Sequence, residues 1–385
     1  MDSAEREGLR PKGNVPNLRF PEFRGEWKES TIGEMFDLYS GNTPSRLNKE
    51  HFKGTVNWIS SGELKEHYIY SSKEQISEEA AKSLKLLPVG TFVIAIYGLE
   101  AEGVRGTGSI IQEPSTISQA CMSFISKGVI ENEFLYSWYK KHGNVIGIRY
   151  AQGTKQQNLS YDILEKFKIA YPYAKEQEKL NNFIFLLDER ISTQNKIIDK
   201  LQSLIKGIRH DIFKDIQGEV LALSNIADIY QPQTISSSDL TSEGYWVYGA
   251  NGIIGKYKEY NHETEQICIT CRGNTCGTVN YTQPKVWITG NSMVINTDKY
   301  QRQVNKRFLF HYLSSYNFKS IVSGSGQPQI VRTPLEKIKV VLPTIEKQVR
   351  IANSIDIVSE KINTESSVLR LLENQKQYLL RQMFI

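Results

Sequence analysis

Residues 175–214 read KEQEKLNNFIFLLDERISTQNKIIDKLQSLIKGIRHDIFK, and their apolar residues fall at alternating steps of four and three: Leu180, Ile184, Leu187, Ile191, then Ile198, Leu201, Ile205, Ile208 and Ile212. Such steps average ~3.5 residues, the period of a helix whose apolar seam faces a second helix. The register breaks once, at Gln194. At ~1.5 Å per residue the stretch predicts a rod of roughly 60 Å, too long for an ordinary core helix. A seam of that length requires a partner.

The partner lies at the end of the same chain. Adding 171 to each position gives Ile351, Ile355, Val358, Ile362, Glu365, Leu369, Leu372, Lys376, Leu379 and Met383, with Glu365 standing where the first copy has Gln194. The match begins before the helices. Leu164-Glu165-Lys166 answers Leu335-Glu336-Lys337, and Pro172, Gln177, Asn182 and Glu189 answer Pro343, Gln348, Asn353 and Glu360. An ungapped repeat of about sixty residues means two copies of one unit. If the two helices pack antiparallel, their midpoints face each other, and Gln194 and Glu365 are expected to meet at a pseudo-twofold axis and fix the register. The alternative is that both face solvent or a partner where the seam loosens. Lys376, also on the seam, is expected to snorkel its ammonium outward.

A chain of 385 residues with 39% hydrophobic content is long enough for two or three domains with proper cores. No apolar run approaches the ~20 residues of a membrane span. The N-terminus lacks the apolar core of a signal peptide, and Cys121, Cys268, Cys271 and Cys276 form no even framework, so a reducing cytoplasm is expected. Residues 1–172 carry 21 basic and 21 acidic side chains and residues 217–343 carry 12 and 9, a balance too mild to argue nucleic-acid binding from charge alone.

Residues 1–13 are charged and aperiodic, a candidate disordered tail. The text from Asn14 to Trp27 reads as an extended segment over a domain surface, and Thr31–Tyr39 as a short amphipathic turn or helix. VNWISSGEL (56–64) and GTFVIAIYG (90–98) read as strands, GVRGTGSII (103–111) as a Gly-rich turn entering a strand, ENEFLYSWYKK (131–141) as a core helix, and KFKIAYP (166–172) as a strand feeding the long helix. In the second copy YWVYGANGIIGKY, ICITCRGNTCGTVNY and NKRFLFHYLSSY take the corresponding places. Asp228-Ile-Tyr mirrors Asp37-Leu-Tyr at an offset of 191 rather than 171, so about twenty residues of the first copy, placed in the polar 64–88 stretch, have no counterpart. Framework segments repeat while the loops between them differ, as in two readers sharing one scaffold.

These features together resemble the specificity subunit of type I restriction–modification systems. The resemblance rests on the domain-helix-domain-helix order and the repeat, on VPNLRFPEFRGEW (15–27), YGANGIIG (248–255) and RGNTCG (272–277), on the Gly…Gln…Leu-Glu-Lys…Pro…Gln approach to each helix, and on the terminal LLRQMF (379–384). It implies an α+β fold: two globular mixed α/β target-recognition domains (14–172 and 217–343) separated by a long antiparallel two-helix coiled coil (173–216 and 344–385), related by a pseudo-twofold internal repeat. It further implies a non-catalytic subunit that binds double-stranded DNA and carries two copies of a DNA methyltransferase subunit and, in some complexes, restriction or translocase subunits. S-adenosylmethionine, ATP and Mg would belong to those partners; no membrane is involved. The alternative is a scaffold in which the rod spaces two protein-binding domains.

Base readout needs forked or planar donors and acceptors: Arg for guanine, Asn or Gln for adenine, Ser or Thr adaptably. The first domain's loops offer Thr43, Ser45, Arg46, Ser60, Ser61, Arg105, Thr107, Lys155, Gln156 and Gln157; the second's offer Tyr248, Asn251, Lys256, Arg272, Asn274, Asn291, Gln327 and Gln329. The repeated Gly153…Gln156 and Gly324…Gln327 elements are assigned to phosphate or sugar contact or to framework, since shared residues cannot explain different targets. Cys268, Cys271 and Cys276 have a superficially metal-like spacing, but on a strand Cys268 and Cys271 project to opposite faces and only His262 lies near, so no metal site is assigned. The chain has no G-x-x-x-x-G-K-[ST] loop and no Asn-Pro-Pro-aromatic methyltransferase motif.

Overall fold

The apolar seam at 175–214 forms one uninterrupted helix, Ala174–Lys214, and its repeat forms another, Ile345–Met383, in the computed structural model, which describes residues 13–101, 103–153, 157–250, 252–324 and 326–385. Leu180, Ile184, Ile198 and Ile205 are buried along the first helix, as are Ile355, Leu372 and Met383 along the second. Gln194 is 8% exposed. Glu365 is half-buried and pairs with Lys361 one turn away at 2.5 Å, so neither polar seam residue is given over to solvent. The expectation for Lys376 is corrected: its ammonium turns inward to the Asp188 carboxylate and lies 5.9 Å from the Tyr136 ring centroid, because a half-buried anion waits there. The chain divides into two compact units: residues up to Asn195 with Val368–Ile385, and Lys196–Ser367. Each unit takes one part of each long helix.

In the first unit the chain runs through β1 (Lys28–Thr31), β2 (Phe36–Ser40), β3 (Val56–Ile59), β4 (Tyr68–Ile69), β5 (Glu74–Ile76), β6 (Phe92–Ala95), β7 (Gly108–Ile111), β8 (Ser115–Ile117), β9 (Cys121–Ser126), α1 (Asn132–Tyr150) and β10 (Lys168–Tyr171), and enters α2 (Ala174–Lys214). Among the described residues β2-β9-β6-β7-β4 form one sheet and β5-β3-β8 a second, while β1 pairs antiparallel with β10. Strand alternation sorts the core. Phe92, Ile94, Met122 and Phe124 pack against Phe134, Leu135, Trp138 and Tyr139 of α1, with Leu180 and Ile184 of α2 and Leu380 and Met383 completing the cluster. Val93, Ala95 and Cys121 point the other way, to Ile59, Leu87 and Ile117 of the smaller sheet. The unit is thus layered helix, sheet, sheet.

The second unit repeats the plan with β11 (Glu219–Ala222), β12 (Asp228–Tyr230), β13 (Tyr245–Gly249), β14 (Gly252–Tyr257), β15 (Ile267–Thr270), β16 (Val279–Tyr281), β17 (Trp287–Ile288), β18 (Ser292–Asn296), α3 (Lys306–Ser315), β19 (Lys339–Leu342) and α4 (Ile345–Met383). Here α3 takes the place that α1 has in the first unit. The sheets run β12-β18-β15-β16 and β14-β13-β17, with β11 antiparallel to β19. Only the first unit, among the described residues, has a strand in the place of β4, which lies parallel to β7. That strand and the short helix Glu78–Ala81 fall within the 64–88 stretch that lacks a counterpart in the repeat.

Both copies lock the start of their long helix with the same buried glutamine. Gln177 Nε2 donates to Pro172 O at 2.9 Å and Val129 O at 3.0 Å, and its Oε1 accepts from Glu131 N at 2.9 Å. Gln348 donates to Pro343 O at 2.9 Å and Gln303 O at 3.0 Å and accepts from Asn305 N at 2.8 Å. One amide side chain thereby ties each long helix to the N-terminus of the helix that covers the sheet. The first of those covering helices runs on to Tyr150, past the 131–141 read from sequence. Gly143 and Gly147 hid the extension. They are poor helix formers, but a Cβ on Gly147 would stand 2.5 Å from Arg105 Cγ, so the close approach of the 103–107 turn excludes a side chain there.

Candidate nucleic-acid interface

In each unit the strand leaving the centre of the larger sheet runs into a loop that lies beside the segment after the covering helix. Gln152 and Asn158 exchange backbone hydrogen bonds of 2.8 and 2.9 Å, and Ser323 and Gln329 exchange two of 2.8 Å. Leu159 N donates to Ile96 O at 2.9 Å, as Ile330 N does to Cys271 O at 3.0 Å. Gly153 and Gly324 sit at φ of 108° and 89°, and a Cβ on Gly324 would fall 2.4 Å from Gln327 O. The same backbone lattice therefore supports both loops. Lys155 and Gln156 lie outside the described residues. Gln157 is half-buried, its backbone amide donating to Glu100 Oε2 at 2.8 Å, whereas Gln327 and Gln329 are exposed.

Not every first-domain candidate is available to a base. Arg46 has its guanidinium fork on Glu74, at 2.9 and 2.7 Å, and lies over the Phe52 and Trp58 rings. Its fork is held in an exposed ion pair, whose two side chains are 56% and 45% accessible. Ser60 is similarly occupied, its hydroxyl donating to Glu63 Oε2 at 2.6 Å across a capping box. The Thr107 hydroxyl donates to Val104 O at 2.7 Å. Thr43, Ser61 and Arg105 are half-buried and Ser45 is exposed. The Arg105 Nε is enclosed without a hydrogen-bond partner in the described residues, while its stem packs over Gly147.

In the second domain Tyr248 is corrected outright. Its ring is 8% exposed and packs with Cys268, Val286, Ile288 and Val294, because position 248 lies on the inward face of β13. Asn251 lies outside the described residues. Arg272 and Asn274 stand exposed on the turn after β15, and Asn291 is half-buried beneath it, its carbonyl accepting from Cys271 N at 2.9 Å. Arg272 and Gln329 line one cleft of about 350 Å³ with Tyr230, Gln231 and Arg332, a concentration of forked and amide groups at one end of the sheet. Lys256 holds its ammonium 4.8 Å from the ring centroid of Trp246, which is 40% exposed.

Cys268 and Cys271 do belong to opposite core clusters. His262 is neutral in its setting: burial pushes its pKa down to about 4, its Nδ1 donates to Asn261 Oδ1 at 2.6 Å, and Nε2 accepts from the Tyr230 hydroxyl at 2.9 Å. Both ring nitrogens are taken by protein partners. Sequence reading gave no role to the half-buried His67, whose partners Asp188 and Glu133 lie far from it in the chain.

The family model for the type I restriction modification DNA specificity domain matches residues 24–203 and 216–374. The EcoprrI type I restriction enzyme specificity subunit of Escherichia coli is 23% identical over 374 residues, spanning 88% of this chain and 89% of that protein. The EcoR124I/EcoR124II specificity subunit, also from Escherichia coli, is 31% identical over 206 residues, 52% of this chain and 49% of its own length. Among solved structures, the S subunit of a type I restriction-modification system from M. genitalium superposes with a TM-score of 0.63 at 18% identity, covering 96% of this chain and 99% of that one, a likeness of fold.

Proposed function

Because the chain belongs to the type I restriction-modification DNA specificity family, we propose that its two reading domains, 14–172 and 217–343, each recognise one half of an asymmetric bipartite duplex target. The chain is a DNA-specificity subunit. One observation carries the division of labour: the backbone lattice and the buried glutamine repeat between the copies, while Arg272, Asn274 and, in the cleft beside them, Gln231 and Arg332 have no like-for-like residues in the first domain. Identical supports holding different side chains are what two independent readers require.

On this reading the chain alone neither methylates nor cleaves DNA. Two modification subunits dock on the long helices, restriction subunits join where the system has them, and S-adenosylmethionine, ATP and Mg are held by those partners. The complex works in the cytoplasm; among the described residues no helix is long and apolar enough to cross a membrane. The test is an exchange of residues 217–343 for another reader, with methylated sites then mapped. One half-site is expected to change and the other to persist. Substituting Arg272 or Asn274 should shift preference within that same half by ~1–3 kcal/mol per lost contact. A simultaneous change of both half-sites would refute independent reading.

A further inference from the structure

Leu47 is 97% exposed; the next most exposed large apolar residue among those described, Tyr173, is 70%. Single apolar side chains at a surface are common, so exposure alone assigns nothing. What distinguishes Leu47 is the platform under it. Arg46, the residue before, is clamped by Glu74 at 2.9 and 2.7 Å and by the rings of Phe52 and Trp58, 4.4 and 5.3 Å from its guanidinium. Asn48, the residue after, caps the turn Lys49–Phe52 through Oδ1 on Glu50 N at 3.1 Å and donates its own amide to Ser45 O at 3.3 Å. Trp58 is 3% exposed and anchors the start of the loop, its Nε1 donating to Asn42 O at 3.0 Å. Both neighbours of Leu47 are fastened to the domain while its own side chain stands in water. The cost of ordering the tip is met before any ligand arrives.

The chemistry around the tip selects its occupant. Arg46, Lys49 and Lys53 stand near the leucine in sequence; Arg46 is paired with Glu74 and Lys53 with Glu50 at 2.7 Å each, and Lys49 is exposed. An apolar tip on a DNA-reading domain, beside the exposed Lys49, fits a duplex, whose phosphates lie outside and whose stacked base steps lie within. Thr43 and Ser45 sit on the same loop. In the second domain the corresponding loop after β12 offers Ile235, which is half-buried.

We propose that Leu47 is an apolar wedge: when the first domain binds its half-site, this side chain enters between two adjacent base pairs, unstacks that step and kinks the duplex there. The proposal rests on the reading of the first domain as a DNA reader. The wedge belongs to that domain alone, so the kink falls in one half-site, and pyrimidine–purine steps, which unstack most readily, are favoured at the insertion point.

The experiment uses the complex of the full chain with its modification subunits, on duplexes carrying 2-aminopurine at successive positions of both half-sites. Binding of the wild-type complex is expected to raise the fluorescence severalfold at one step of the first half-site only. Leu47→Ala should abolish the rise and weaken binding roughly tenfold while the methylated sequence stays the same; Leu47→Phe should keep the rise. Specific binding without unstacking at any step, or unstacking undiminished in Leu47→Ala, overturns the wedge alone. Normal DNA binding by Leu47→Ala with loss of the modification subunit makes the tip a protein contact and also overturns it. Absence of sequence-specific binding by the wild-type complex overturns both the wedge and the reading beneath it.

Discussion

His67 shows how one side chain can join a divergent loop to the shared frame. Its ring is stacked between Tyr68 and Tyr136, with centroids 4.1 and 3.9 Å away, and its nitrogens meet Glu133 Oε2 at 2.8 Å and Asp188 Oδ2 at 3.1 Å. Two carboxylate acceptors call for two N–H donors, so the ring is an imidazolium. Burial opposes that charge, but the hydrogen bonds and charges of Asp188 and Glu133 outweigh it and hold the pKa above its ordinary 6.5. The Lys376 ammonium completes the network on Asp188. His311 in the second unit is the opposite case. Burial, together with Arg209 and Arg307, pushes it down to about 4 despite Asp356, and Arg209 donates to its Nδ1 at 3.0 Å. Since the folded pKa of His67 is raised, its stabilisation is fully present below about 6.5 and withdrawn as the pH climbs through the folded value. His67→Gln is therefore expected to lower the unfolding midpoint most at about pH 6, with the difference from wild type shrinking as the medium becomes alkaline. Paired thermal melts across that range check this; a difference that ignores pH would reduce His67 to a packing role.

At the scale of the element, the long helices carry a second repeat on their outer surface. Exposed Asn182, Leu186, Glu189, Arg190 and Thr193 correspond to exposed Asn353, Ile357, Glu360, Lys361 and Thr364. Beyond the midpoint the likeness ends: Lys196, Asp199, Lys200 and Lys206 correspond to Ser367, Arg370, Leu371 and Gln377. Leu186 and Ile357 are 65% and 67% exposed, so core packing does not explain their agreement. A surface kept in two copies predicts one kind of partner bound twice. Leu186→Glu or Ile357→Glu should each leave a single modification subunit bound, and the double variant none, as counted by native mass spectrometry; two subunits retained by the double variant would discard this face. Helix seams, the repeat and most strands were legible in the sequence because local period and spacing encode them. Side-chain availability was not. Arg46, Lys376 and Tyr248 each read as free to reach outward, and each is claimed by a group distant in sequence: Glu74, Asp188, and the core around Cys268. His67 was given no role for the same reason, since Asp188 lies 121 residues away.

For the molecule as a whole, the decisive feature is that α2 runs without interruption for 41 residues, from the strand that closes the first domain to the segment that opens the second. A continuous helix transmits length: each added residue lengthens it by ~1.5 Å and rotates the downstream chain by ~100°. We infer that the two helices set the spacer between half-sites. Inserting seven residues after Gln194, matched by seven after Glu365, preserves the seam because seven residues span two steps of ~3.5. It adds ~10 Å of helix, about three base pairs at ~3.4 Å each. Four residues add ~6 Å but advance the rotation by ~40° beyond a full turn, so the seam is misphased and weaker binding is expected. The seven-residue variant should bind and methylate targets whose spacer is longer by about three base pairs, with both half-sites unchanged. Selection of bound sites from a library of randomised spacers gives the answer directly. If the preferred spacer stayed where it is in the parent protein, or if the variant bound no spacer at all while remaining folded and partnered, the helices would not be the ruler.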